Sequence, residues 1–79
     1  MPSVPRIRRA IPDGPITRPP TAGIPVIARL HWQPSDGITE VQALATAWTR
    51  HEVEIVWDTP EHGRHVDWIP ASDVQRASS

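Results

Sequence analysis

Four histidines and nine carboxylates are the side chains of this 79-residue chain best equipped for chemistry. The run His62-Gly63-Arg64-His65, with His31 and His51 elsewhere, has a spacing that zinc sites use. The chain has no cysteine, however, and histidines beside turns are usually solvated, so no metal is assigned. Serines stand at positions 3, 35, 72, 78 and 79, all in expected turns or tails without the flanking glycines of a nucleophile elbow. Glu52, Glu54 and Asp58 fall on one face of a strand pattern, which an exposed polar face explains without catalysis. The expectation is a non-enzymatic binding protein with no catalytic residue and no cofactor.

Aromatic side chains offer a different chemistry. The chain has four Trp and neither Phe nor Tyr. Trp32, Trp57 and Trp68 occupy registers that read as core-facing, whereas Trp48 falls on the register opposite Val41, Ala43 and Ala45. Trp48 and Trp68, the latter beside Pro70, are therefore the candidates for an aromatic platform that holds a peptide or stacks a base. With Glu52 and Glu54 they form the expected partner-binding set.

A sheet has to position these residues. At 79 residues there is room for one domain, and without disulfides its core must rest on Trp and aliphatic burial. Each Trp can bury about 150–250 Å², worth roughly 4–6 kcal/mol before chain entropy is subtracted. Val26, Ala28, Leu30 and Trp32 alternate with Ile27, Arg29, His31 and Gln33, which is the period of a strand. Pro34-Ser35-Asp36-Gly37 reads as a turn, and 38–49 as a long, alanine-rich second strand of the kind a curved barrel needs. Its Ala, Leu, Gln and Glu would also suit a short helix over 40–48. Strands follow over 52–58 and 64–69, then one helical turn at Pro70-Ala71-Ser72-Asp73 and a closing strand at 74–76, with 77–79 frayed. Within the fourth strand, Val66 and Trp68 read as inward, His65 and Asp67 as outward.

The first 25 residues differ from the rest. They contain seven of the ten prolines, which deny a helix or a ladder-forming strand, so residues 1–25 read as a disordered arm of polyproline II character. They also carry a net charge of +3 against −4 for residues 26–79. Arg6, Arg8, Arg9 and Arg18 could enter a DNA groove or hold phosphates. Arg9, Pro12 and Pro15 also match a spacing found in peptides that SH3 domains bind. All eight basic residues are Arg, a bias expected of a GC-rich genome such as an actinobacterium or its phages or plasmids. No apolar run reaches the roughly 20 residues of a membrane span, and prolines interrupt the start, so a cytoplasmic protein is expected.

Asp67-Trp68-Ile69-Pro70-Ala71-Ser72-Asp73-Val74 resembles the closing segment of SH3-like barrels, a group that includes Tudor-like domains. In that family the segment reads glycine, aromatic or aliphatic, aliphatic, proline, two small or polar residues, tyrosine, valine. Trp68, Ile69, Pro70, Ser72 and Val74 fit; Asp67 replaces the glycine and Asp73 the tyrosine. The family's early alanine-leucine-tyrosine-aspartate-tyrosine motif is absent, and with it the tyrosines that line its peptide groove. The resemblance implies an all-β, five-stranded SH3-like barrel over 26–76, with a one-turn 3-10 helix before the last strand.

Two functions follow. An adaptor would dock a protein or peptide segment on the acidic, Trp-containing barrel face. The alternative is a DNA- or RNA-associated accessory protein using Arg6, Arg8, Arg9 and Arg18 with Arg29, Arg50 and Arg64 gathered on one barrel face. The acidic charge of 26–79 favours the adaptor, because nucleic-acid affinity rests largely on phosphate neutralisation.

Overall fold

A computed structural model of the chain describes residues 6–33, 36–61 and 63–77. It is all-β. The strands are β1 (Arg6–Ile7), β2 (Ile24–Gln33), β3 (Ile38–Trp48), β4 (Glu52–Thr59), β5 (Gly63–Pro70) and β6 (Val74–Arg76), with a 3-10 turn over Ala71–Asp73 before the last. All pairings are antiparallel in the order β1-β2-β3-β4-β5, and β6 adds to β2. The alanine-rich stretch over 40–48 is strand throughout, because its residues other than Thr46 gain sheet partners a lone helix would lack. Among the described residues no helix is long and apolar enough to cross a membrane.

The hairpin after β2 turns through Asp36, whose φ of 60° is tolerable for a short polar side chain. It is closed by Trp32 N–H to Gly37 O at 2.8 Å and Asp36 N–H to Trp32 O at 2.9 Å. Pro34 and Ser35 of the expected turn lie outside the described residues, as do His62 and residues 1–5, 78 and 79.

The core is small and aliphatic. Val26, Ala28 and Leu30 of β2, Ala43 and Ala45 of β3, Ile55 and Trp57 of β4 and Ile69 of β5 form one buried cluster, with Trp32, Val41, Val53 and Val74 packed against it. Trp32 meets Trp57 edge to face, with ring centroids 6.5 Å apart. The expected inward registers of β2 and β4 are those observed.

Two registers differ from expectation. In β5, His65, Asp67 and Ile69 lie opposite Trp57, Ile55 and Val53, so these three share the core side while Val66 and Trp68 point outward. Polarity makes Asp67 look like an outward residue, yet it is only 7% exposed. Its carboxylate is supplied with donors: Trp57 Nε1–H reaches Oδ2 at 3.1 Å and the Arg9 guanidinium reaches Oδ1 at 3.0 Å. A buried carboxylate with such partners is tolerable where a bare one is not. In β3 a bulge between Ala45 and Ala47 inserts an extra residue. Beyond it Ala47 faces Glu54 and Trp48 faces Val53, so Trp48 has been turned to the core side.

The N-terminal segment also differs. Its described part is not a free arm. Arg6 and Ile7 pair with Gln33 and Trp32, and Ile7, 7% exposed, joins the core cluster. Arg8 N–H then reaches His31 O at 2.7 Å, and Ala10 N–H reaches Trp68 O at 2.8 Å. β4 is the only ladder partner of β5 among the described residues, so the sheet does not close by strand pairing. Residues 6–10 span part of that seam. Proline prevents a long ladder here, but isolated hydrogen bonds between the prolines are enough to seat the segment.

Candidate functional site

The register of β4 against β5 decides which of the expected partner-binding residues meet. Glu52 lies opposite Pro70, and Glu54 opposite Trp68. All four side chains therefore project from the outer side of the sheet. Trp48 does not join them, since the bulge places its indole on the other side, at the mouth of the core. There it lines a cleft of about 190 Å³ with Ile24, Val26, Val53 and Val74. The two tryptophans form no common platform.

Residues 8–18, here the strap, cover the Glu52–Glu54–Trp68–Pro70 face. After Ala10 the chain runs to Asp13, whose N–H donates to Glu52 Oε1 at 3.1 Å. Gly14 then turns it with a φ of 101°, a value open to glycine and costly for other residues. Thr17 and Trp48 exchange two backbone hydrogen bonds of 2.8 Å each, an isolated antiparallel bridge. Arg18 Nη1 closes the run on Glu54 Oε1 at 3.3 Å. The arginine-proline-proline spacing expected of a ligand peptide is thus spread along the strap, and Arg9 is committed to Asp67.

Both glutamates are further oriented from their own side. The Thr46 hydroxyl, at the bulge, donates to Glu54 Oε1 at 2.9 Å. Thr49 begins the β3–β4 turn and its hydroxyl donates to Glu52 Oε1, while accepting the Glu52 N–H at 3.1 Å and the His51 N–H at 3.3 Å. The Thr49 hydroxyl, the Asp13 N–H and, more weakly, the charge of His51 hold the Glu52 carboxyl below its ordinary value of 4.5, against a smaller upward push from burial. The face is an acceptor surface: two carboxylates flanked by an indole and a proline ring.

The arginines expected to gather for nucleic acid are dispersed. Arg6 is positioned by its pairing with Gln33, and Arg8 is exposed beside β2. Arg9 and Arg18 are spent on carboxylates. Arg29 is exposed opposite Glu40. Arg50 precedes β4, and Arg64 faces Asp58 at its far end, so the two stand about 20 Å apart along the strand. Of the histidines, His31 Nε2 lies 3.0 Å from Asp73 Oδ1, His65 stacks on Trp57 at 4.5 Å, and His51 is exposed. Among the described residues no three His, Asp or Glu side chains come together as a metal site would require.

Sequence reasoning missed Asp67, Ile7 and Thr17. Asp67 carried a signal, because a carboxylate between apolar neighbours in a strand is costly unless partnered. Thr17 carried none. No family model, curated protein or solved structure matches the chain.

Proposed function

We propose that this chain is a non-enzymatic adaptor module of SH3-like build that holds an extended, proline- and arginine-containing protein segment on its Glu52–Glu54–Trp68–Pro70 face. The strap supports this reading. It is a segment of that composition, it lies on that face, and it is held by the means a peptide would use: a backbone bridge to Trp48 and an arginine on Glu54. Proline-rich chains have few N–H groups and a low ordering cost, so a face for them needs a few well-placed acceptors and flat apolar surface rather than a full ladder. Glu52, Glu54 and the carbonyl of Trp48, which accepts the Thr17 N–H, are the acceptors; Trp68 and Pro70 supply the flat surface. The build is read from the antiparallel sheet and the 3-10 turn that follows Pro70.

The test uses a fluorescent peptide of residues 11–20 added in trans. In the native chain the strap competes at an effective concentration on the order of millimolar, so the peptide is excluded. In full-length Arg18→Glu, where like charges loosen the strap, the peptide is expected to bind, and a peptide lacking its arginine to bind more weakly. Failure of the peptide to bind either chain at millimolar concentration refutes the reading.

A further inference from the structure

The bulge between Ala45 and Ala47 turns Trp48 to the core side, yet Trp48 is only half-buried there and stays outside the core cluster. Bulges that re-aim a side chain in this way are common beside ligand sites. Here the indole makes one wall of the cleft of about 190 Å³ at the mouth of the core. Ile24 and Val26 of β2, Val53 of β4 and Val74 of β6 supply the other large walls, and the small side chains of Ala45 and Ala71 leave the space between them open.

Arg76 stands at the rim of this cleft. Val26 lies opposite Arg76 and Ala28 opposite Val74, so Arg76 shares the core side of β6 with Val74. It is exposed, it meets no carboxylate among the described residues, and it is the one charged residue that lines the cleft. All the other lining residues are apolar. These features select an occupant by size and by charge. An apolar cavity of about 150 Å³ takes up benzene, so this cleft fits a single ring or a short branched chain. None of its lining side chains is a hydrogen-bond acceptor, so an ammonium group or a run of peptide amides would lose water there without a partner in return. A lone guanidinium suits one anion, and a carboxylate can take two of its N–H groups at once.

We infer that the Trp48–Val53–Val74 cleft binds a small carboxylic acid with a single-ring or branched aliphatic body, the body lying against Trp48 and the carboxylate on Arg76. The site is on the opposite side of the sheet from the strap-covered face and does not depend on the function of that face. The probe is phenylacetate, with phenylacetamide as its neutral twin and phenethylamine as its cationic one. Added to the isotopically labelled full chain, phenylacetate should shift the Trp48 indole N–H and the amides of Val53, Val74 and Arg76, saturate with a Kd on the order of millimolar, and leave the Trp68 indole in place. Phenylacetamide should bind roughly tenfold more weakly, as expected for loss of a hydrogen bond to a charged group, and phenethylamine more weakly still. Arg76→Gln should bring phenylacetate down to the level of the amide and leave the amide unchanged. Arg76 is exposed, and an unchanged amide spectrum of the free variant establishes that it folds; the ranking of the three probes on the native chain tests the same point without a substitution. Four results overturn the inference: no saturable shift at these positions, binding of phenethylamine as tight as that of phenylacetate, Arg76→Gln that costs phenylacetate nothing, or a peptide ending in phenylalanine that binds about tenfold more tightly than phenylacetate. The last would make the C-terminus of a protein the occupant.

Discussion

Two rows of side chains leave the outer side of β3, β4 and β5 a single step apart. The row Ala47–Glu54–Trp68 lies under the strap, and Ala47 is buried there without belonging to the core cluster. In the row Leu44–Val56–Val66 the two outer members are exposed, Leu44 at 39% and Val66 at 56%. The strap could in principle have covered the more apolar row and gained more from water exclusion. What separates them is acceptors. A segment carrying prolines at 12 and 15 keeps only scattered N–H groups, and each one that loses water must find an oxygen. Glu52, Glu54 and the carbonyls of Trp48 and Trp68 provide oxygens where the strap has donors; three aliphatic side chains provide none. Hydrogen-bond bookkeeping, not hydrophobicity, sets the path of the chain.

The comparison extends along the N-terminal segment itself. Residues 6–10 and 11–18 are contiguous, but the first run puts Ile7 into the core and the second leaves Ile11 86% exposed. Ile7→Ala is therefore expected to cost about 2–5 kcal/mol, read as a fall in the urea midpoint, whereas Ile11→Ala should stay within about 0.5 kcal/mol. Equal effects of the two substitutions would mean that residues 6–10 are no more part of the fold than residues 11–18.

How far the sequence disclosed this arrangement depends on how each position signals. Strands β2 and β4 were legible because Val26–Trp32 and Val53–Trp57 alternate cleanly, and the 3-10 turn because Pro70 is followed by small polar residues. β5 was misread by one register. Trp68 and Ile69 are adjacent, only one can face inward, and polarity at Asp67 pointed to the wrong one, since its partners Arg9 and Trp57 are distant in sequence. Trp48 was misplaced because a run of Ala and Thr gives no hint of a bulge. Of the expected partner-binding set, Glu52, Glu54, Trp68 and Pro70 do converge, but alternation could not reveal that the chain's own N-terminal residues lie on them.

Arg9 tests the buried end of the comparison. Its guanidinium is largely exposed, but its partner Asp67 is not, so Arg9→Ala leaves a buried carboxylate with the Trp57 indole as its remaining described donor. A loss of about 1–3 kcal/mol is expected, and Asp67→Asn in the Arg9→Ala background should recover part of it by removing the charge. If Asp67→Asn makes the double variant less stable still, the carboxylate is satisfied in some other way. Arg18→Ala removes an ion pair whose arginine is mostly in water, and should cost under about 1 kcal/mol, a difference that shrinks as salt is raised.

The smallest effect expected is in the response to acid. Glu52 has its carboxyl held down in the folded chain, so its contribution to stability is complete above the ordinary glutamate value and is lost as pH falls through the lower, folded value. Protonation takes a charged acceptor from the Asp13 N–H and the Thr49 hydroxyl, loosening the strap's middle and the β3–β4 turn together. Glu52→Gln keeps the shape and one acceptor oxygen but cannot titrate. Urea midpoints compared between about pH 6 and pH 3 should therefore fall further for the native chain than for Glu52→Gln, with the other carboxylates contributing equally to both. Parallel declines would mean that Glu52 is hydrogen-bonded as well in the unfolded chain as in the folded one. The contrast would then rest on Glu54 and the carbonyls of Trp48 and Trp68, which hold the two ends of the strap but not its middle.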